Sequence, residues 1–174
     1  LAQLPAPDAR WVLLLADVLL AQGEPAAAEA ALQEALRQSP GQADLQAQLA
    51  RVQLLSNRLE ASAETLRQAD QRPVPSRLVV QGDLARRQGD GAAALQAYAR
   101  AVQADPAEDR AWFGQGAVLN EREDTEPARL KLEHALRLRP DGPGYRGELG
   151  VLETFANRFT EANAAFEQAL QQNP

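Results

Sequence analysis

Few residues in this sequence have the chemistry for catalysis, and their spacing works against it. His134 is the single histidine of 174 residues, and there is no cysteine. A nucleophile–base arrangement or a histidine metal site needs partners at motif spacing, and no local motif around His134 supplies them. It reads as a packing or surface histidine. A chain without cysteine has no disulfide, zinc thiolate or thiol nucleophile. The acidic run Glu121, Glu123, Asp124 and Glu126 carries charge enough for a cation. It lacks the alternating ligands and central glycine of a calcium loop. Acids before and within the first turn of a helix favour the positive end of its dipole, and that is the role expected here. Asp105 and Glu108 read as solvated charges flanking a loop, and Gly114 and Gly116 fall inside a helical pattern rather than a phosphate loop. These residues predict no enzyme, no metal and no cofactor.

Composition narrows the partners. The net charge is −6, and lysine occurs once, as Lys131. A phosphate backbone needs basic surface, so no nucleic-acid partner is expected. Apolar residues make up 45% of the chain, enough for a folded core. The longest apolar stretch, Trp11 to Ala16, is far too short to span a membrane. The chain starts at Leu1 without an initiator methionine or a signal segment, which predicts a processed chain or a piece of a longer one. Its preference for alanine and arginine over lysine points to a GC-rich bacterial coding sequence.

The elements that would position any site come from an internal repeat. Prolines stand at 40, 73, 106, 140 and 174. A small residue precedes each: Ala35, Ala69, Ala101, Ala135 and Ala169. Seven residues earlier lies a second small column, Ala28, Ser62, Ala94, Ala128 and Ala162, and twelve earlier again a first, Ala16, Ala50, Gly82, Gly116 and Gly150. Small residues at fixed offsets mark close approaches of two helices. One turn beyond the second column sits a large residue, Leu32, Leu66, Tyr98, Leu132 or Phe166, which plugs the next gap. Gly23, Asn57, Gly89 and Asn157 stand between the two helices of their repeats, where a left-handed residue ends a helix; Glu123 is the misfit. Pro25 and Pro127 fit the first turn of second helices.

This pattern resembles the tetratricopeptide repeat over about residues 9 to 174. The motif is fullest at Trp112, Gly116, Ala128, Ala135 and Pro140, and again at Leu149, Gly150, Ala162, Phe166, Ala169 and Pro174. The family's aromatic residue late in the first helix is absent. Leu19, Gln53, Ala85, Leu119 and Glu153 stand there, and Gln53 and Glu153 are expected to pack less well. The resemblance implies an all-α fold, a right-handed superhelical solenoid of antiparallel helix pairs. The chain is expected to be one domain with repeats at about 9–42, 43–74, 75–108, 109–142 and 143–174. Residues 1–8 read as the tail of a preceding helix, and the whole as a segment of a longer array.

The resemblance also implies a function. In this family the first helices line a concave face that binds a segment of another protein. The residues expected there are Leu13, Asp17, Arg51, Val79, Asp83, Arg86, Arg87, Arg110, Phe113, Asn120, Val151 and Phe155. Phe113 and Phe155 are expected as aromatic anchors, with Arg86, Arg87 and Arg110 gripping an acidic group. The alternative for the arginines is pairing with Asp83 and Glu121. The lysines of a carboxylate clamp and the asparagine ladder of sugar-transferring relatives are both missing from this stripe. A protein-binding scaffold is therefore the first expectation, with self-assembly through open array ends, or service to a larger export machine or enzyme, as alternatives. Relatives in bacterial envelope assembly and export favour the periplasm.

Overall fold

The computed structural model describes residues 8–69 and 73–172. The expected tail of a preceding helix, apart from Asp8, and the closing Pro174 lie outside the described residues. Among the described residues there are ten helices and no strand. They are α1 (Ala9–Ala21), α2 (Pro25–Gln38), α3 (Ala43–Leu55), α4 (Leu59–Gln68), α5 (Pro75–Arg87), α6 (Gly91–Ala104), α7 (Asp109–Glu121), α8 (Thr125–Leu138), α9 (Tyr145–Phe155) and α10 (Phe159–Gln172). Each consecutive pair falls within one expected repeat. The chain forms two compact units, residues 1–84 and 85–174, with the boundary inside α5.

The five hairpins close in the same way. Gly23, Asn57, Gly89, Glu123 and Asn157 all have positive φ, between 59° and 79°. The residue after each donates its N–H to the carbonyl five residues earlier: Glu24 to Leu19, Arg58 to Gln53, Asp90 to Ala85, Asp124 to Leu119 and Arg158 to Glu153, at 2.8–2.9 Å. This turn satisfies carbonyls that the helix end would otherwise leave unpaired. Glu123 adopts it at φ 63° despite its side chain, so its departure from the sequence pattern is one of residue type, not of backbone. Helix starts follow local chemistry too. The Asp8 carboxylate accepts from the Arg10 N–H at 3.0 Å, Asp90 caps α6 through Ala93 at 2.9 Å, and Pro25 opens α2.

The small columns are the contacts between helices. All of the first and second column is buried, and the third is buried up to Ala135. A Cβ added at Gly116 would stand 2.7 Å from the Leu132 side chain, and one at Gly150 would stand 2.7 Å from the Phe166 ring. Ser62 replaces alanine in the second repeat and donates its hydroxyl to the Ala50 carbonyl at 2.9 Å, so burying it leaves nothing unpaired. In the first unit, Leu32 and Ala35 of α2 share a core with Leu45, Leu49 and Val52 of α3, and Leu66 of α4 shares one with Val80 and Leu84 of α5. In the second unit, Ala128 and Leu132 of α8 pack with Leu152 of α9.

Gln53 and Glu153 are buried and partnered, which corrects the expectation of weak packing there. The Thr65 hydroxyl donates to Gln53 Oε1 at 2.8 Å, and Gln53 Nε2 donates to Glu29 Oε1 at 3.2 Å. Arg58 completes this cluster by pairing with Glu29. Glu153 accepts from Arg158 Nη1 at 3.3 Å and lies 3.9 Å from Arg129 Nε, while both arginines also pair with Glu126. Polar networks thus fill the space that an aromatic ring occupies elsewhere in the family.

Candidate protein-binding face

The expected face is built from four rows on the first helices, numbered from the first small column. Three residues before that column, Ala47 and Val79 are fully buried, and Leu13 packs half-buried against the α1–α3 core. Val79 therefore presents no surface, which corrects its place among the binding residues. Neighbouring first helices approach closely along this row, and its side chains fill the seam. Phe113 belongs to the same row. Its ring stacks on Tyr145 with centroids 4.5 Å apart and planes 17° from parallel. The Tyr145 hydroxyl donates to Asp109, and burial, then that bond, push its pKa above the usual tyrosine value. Phe113 is thus half-buried against the next repeat, with its ring already stacked.

The polar rows are tied from repeat to repeat. Asp17 of α1 accepts from Arg51 Nη1 at 2.9 Å and from Gln48 Nε2 at 2.8 Å, both on α3. Arg86 Nε donates to Glu121 Oε1 at 2.8 Å, realising the pairing alternative for that arginine. Asn120 Nδ2 donates to Glu148 Oε1 at 2.8 Å. Arg110 is half-buried beside Glu108; burial raises the Glu108 carboxyl above its ordinary pKa, while the charge of Arg110 pulls it down. Asp83 is half-buried, and Arg87 is exposed. The partners Gln48, Glu148 and Tyr145 were outside the expected set. Their only sequence signal is a polar side chain or ring on the neighbouring first helix, about one repeat away.

The outermost row is different. Phe155 is 77% exposed, Val151 one turn before it on α9 is exposed, and Leu55 occupies the same row as Phe155 and is exposed on α3. These apolar side chains face solvent, and the same helices carry polar residues, Glu148 and Thr154 on α9 and Arg51 on α3. On the second helix α8, His134 lies against the Trp112 ring, centroids 4.2 Å apart, with Lys131 4.6 Å from the same ring. Burial, then Arg137 and Lys131, lower the histidine pKa. The ring of Trp112 is thus the packing partner of His134. Among the described residues, no helix is long and apolar enough to cross a membrane, and no group of His, Asp or Glu is placed to hold a metal ion.

Sequence profiles described as tetratricopeptide repeat match residues 19–76 and 79–143. No curated protein matches the chain. Among solved structures, a thermophilic TPR protein of Thermus thermophilus superposes with a TM-score of 0.81 at 25% identity, over 95% of this chain and 91% of that one. The pilF protein of Pseudomonas aeruginosa gives 0.73 at 22% identity, over 95% and 76%. YrrB, described as a TPR protein with an unusual peptide-binding site, gives 0.60 at 17% identity, over 96% and 87%. Two profile matches covering most of the sequence, together with repeated hairpins closed by one turn type, lead to a single assignment: the chain belongs to the tetratricopeptide repeat family.

Proposed function

We propose that this chain is a non-catalytic scaffold that holds a segment of a partner protein along its first helices. The fold is that of an interaction module. The observation that carries the reading is Phe155, an aromatic side chain 77% exposed on a first helix with Val151 one turn before it. Such an apolar pair on a polar surface is the form of a binding hot spot. Because Arg86, Arg51 and Asn120 are already engaged within the chain, the contact is apolar first, with the exposed Arg87 of α5 offered to an acidic group elsewhere on the segment. Leu55, exposed on α3, offers a second, weaker patch in the first unit. Service in a bacterial envelope assembly or export system belongs to the same proposal and rests on the family resemblance.

The test is selection of peptides from a displayed library on the immobilised chain, followed by affinity measurement. Selected peptides should carry an apolar or aromatic anchor. Phe155→Ala should weaken them by roughly 2 kcal/mol, as at other hot spots. Equal binding by Phe155→Ala and Val151→Ser, with both variants folded, would place the contact elsewhere and defeat the proposal.

A further inference from the structure

One place in the second unit gathers residues that are rare in this chain. Lys131 is the only lysine, His134 the only histidine, and Trp112 one of two tryptophans. The rings of His134 and Trp112 have centroids 4.2 Å apart, Lys131 Nζ stands 4.6 Å over the same indole, and Arg137 Nη2 donates to His134 Nδ1 at 3.0 Å. Arginine has no acceptor, so His134 accepts that bond as a neutral ring and leaves the charge of Arg137 uncompensated. Trp112 is fixed in turn by its indole N–H, which donates to the Pro106 carbonyl at 2.9 Å.

These charges are placed unlike the others of the fold. Arg51, Arg58, Arg86 and Arg158 each pair with a carboxylate. Lys131 and Arg137 rest on an indole and an imidazole instead, and among the described residues no carboxylate stands within ion-pair distance of either. Leu130 and Leu138 lie beside them, 64% and 40% exposed. Leu130, Lys131, His134, Arg137 and Leu138 follow the spacing i, i+1, i+4, i+7, i+8, so they share a face of α8 separate from the one that buries Ala128, Leu132 and Ala135. α8 packs on both α7 and α9. The face is therefore what remains of an inner helix after both neighbours have packed.

The repeat supplies an internal control. At the position of Lys131 the other repeats carry Ala31, Thr65, Ala97 and Ala165. At that of Leu130 they carry Ala30, Glu64, Gln96 and Ala164. The hairpin forms without a lysine or a leucine there, so the fold does not account for this face.

We infer that this face of α8 is a second docking surface, separate from the first-helix row of Phe155, and that it takes a short acidic segment of a partner protein carrying apolar side chains. Lys131 and Arg137 pair with its carboxylates, and Leu130 and Leu138 receive its apolar groups. The two leucines stand roughly 12 Å apart along the helix axis. A segment with an apolar residue at every fourth position and acids between spans that distance whether extended or helical. Charge decides the class of partner. The chain carries a net −6, so a broad polyanion such as a nucleic acid or an anionic membrane meets repulsion beyond the face, whereas a short segment meets only its cations.

Fluorescence anisotropy of a labelled synthetic peptide, leucine at every fourth position and glutamate between, tests this on the 174-residue chain. The parent should bind it saturably, and less tightly as salt rises. Lys131→Gln with Arg137→Gln should weaken binding roughly tenfold or more. Leu130→Ser should weaken it without changing the salt dependence, and Phe155→Ala should leave it unchanged. The same peptide with glutamine for glutamate should bind the parent no better than the acidic one binds the double variant. Circular dichroism checks helix content; if Lys131→Gln disturbs the stacking on Trp112, Arg137→Gln alone, at an exposed position, carries the same expectation with a smaller loss. A parent that does not bind the peptide at its highest soluble concentration overturns the inference, as do charge variants that bind like the parent. Loss of binding through Phe155→Ala, with the charge variants unaffected, would return the peptide to the first helices and overturn it too. Phosphatidylglycerol vesicles that hold the parent more tightly than the peptide does would assign the face to a lipid surface instead.

Discussion

The ring of Tyr98 occupies the space in which a side chain at Gly114 would stand: a Cβ there would lie 2.3 Å from Tyr98 Cζ and 2.5 Å from Cε1. Tyr98 fills the plug position of the third repeat, where the first, second and fourth repeats use leucine, and is fully buried. The wider ring and the missing side chain form one adaptation across α6 and α7.

Gly114→Ala should therefore destabilise the protein by about 1–3 kcal/mol, since the obstacle is a rigid ring. Gly147→Ala is the control, because nothing lies within 4 Å of a Cβ at that helical position. It should be neutral or stabilising by up to about 1 kcal/mol. Adding Tyr98→Leu to Gly114→Ala should recover part of the loss. Urea denaturation reads all three, and equal stability of the two alanine variants would refute the pairing.

Glu123 holds φ 63° at a turn where the other repeats use glycine or asparagine. A left-handed conformation costs an ordinary residue roughly 1–2 kcal/mol, less for asparagine. Glu123→Asn should raise stability by about 0.5–1 kcal/mol. Thermal denaturation checks it; a lower melting temperature would mean that the glutamate side chain contributes more than its backbone costs.

Acid should weaken the first unit through Glu29. Its bond to Arg58, and secondarily that to Gln53, holds its carboxyl below the ordinary glutamate value despite opposing desolvation. A lowered folded value means stability that is present above the unfolded pKa, about 4.3, and lost as pH falls through the folded one. Glu29→Gln should thus melt below the parent at neutral pH, and the gap should close in acid below about pH 4. A gap that does not change with pH would assign the effect to packing.

The repeat itself was legible because it needs only one kind of residue at each offset. Ala16, Ala28 and Ala35 announce close helix contacts without reference to any partner, and the turn residues announce their own backbone. The binding face was less legible for a physical reason. Offset along one helix places Val79, Phe113 and Phe155 on related rows, but whether a row meets solvent depends on how near the next first helix lies. Val79 and Phe113 fall in that seam, whereas Phe155 falls outside it. Gln53 and Glu153 looked like poor packers because their partners lie far along the chain: Glu29 is 24 residues before Gln53. Pairing of that kind has no local signature.

The shared cores between successive hairpins bear on how the molecule comes apart. The first two hairpins share the core between α2 and α3, and the last two share the core between α8 and α9; in repeat proteins stability is close to a sum of such nearest-neighbour terms. Opening should then proceed hairpin by hairpin, without a single all-or-none event. Amide hydrogen exchange would display this as distinct levels of protection from hairpin to hairpin, so each unit would behave as a row of linked latches, each holding the next in place.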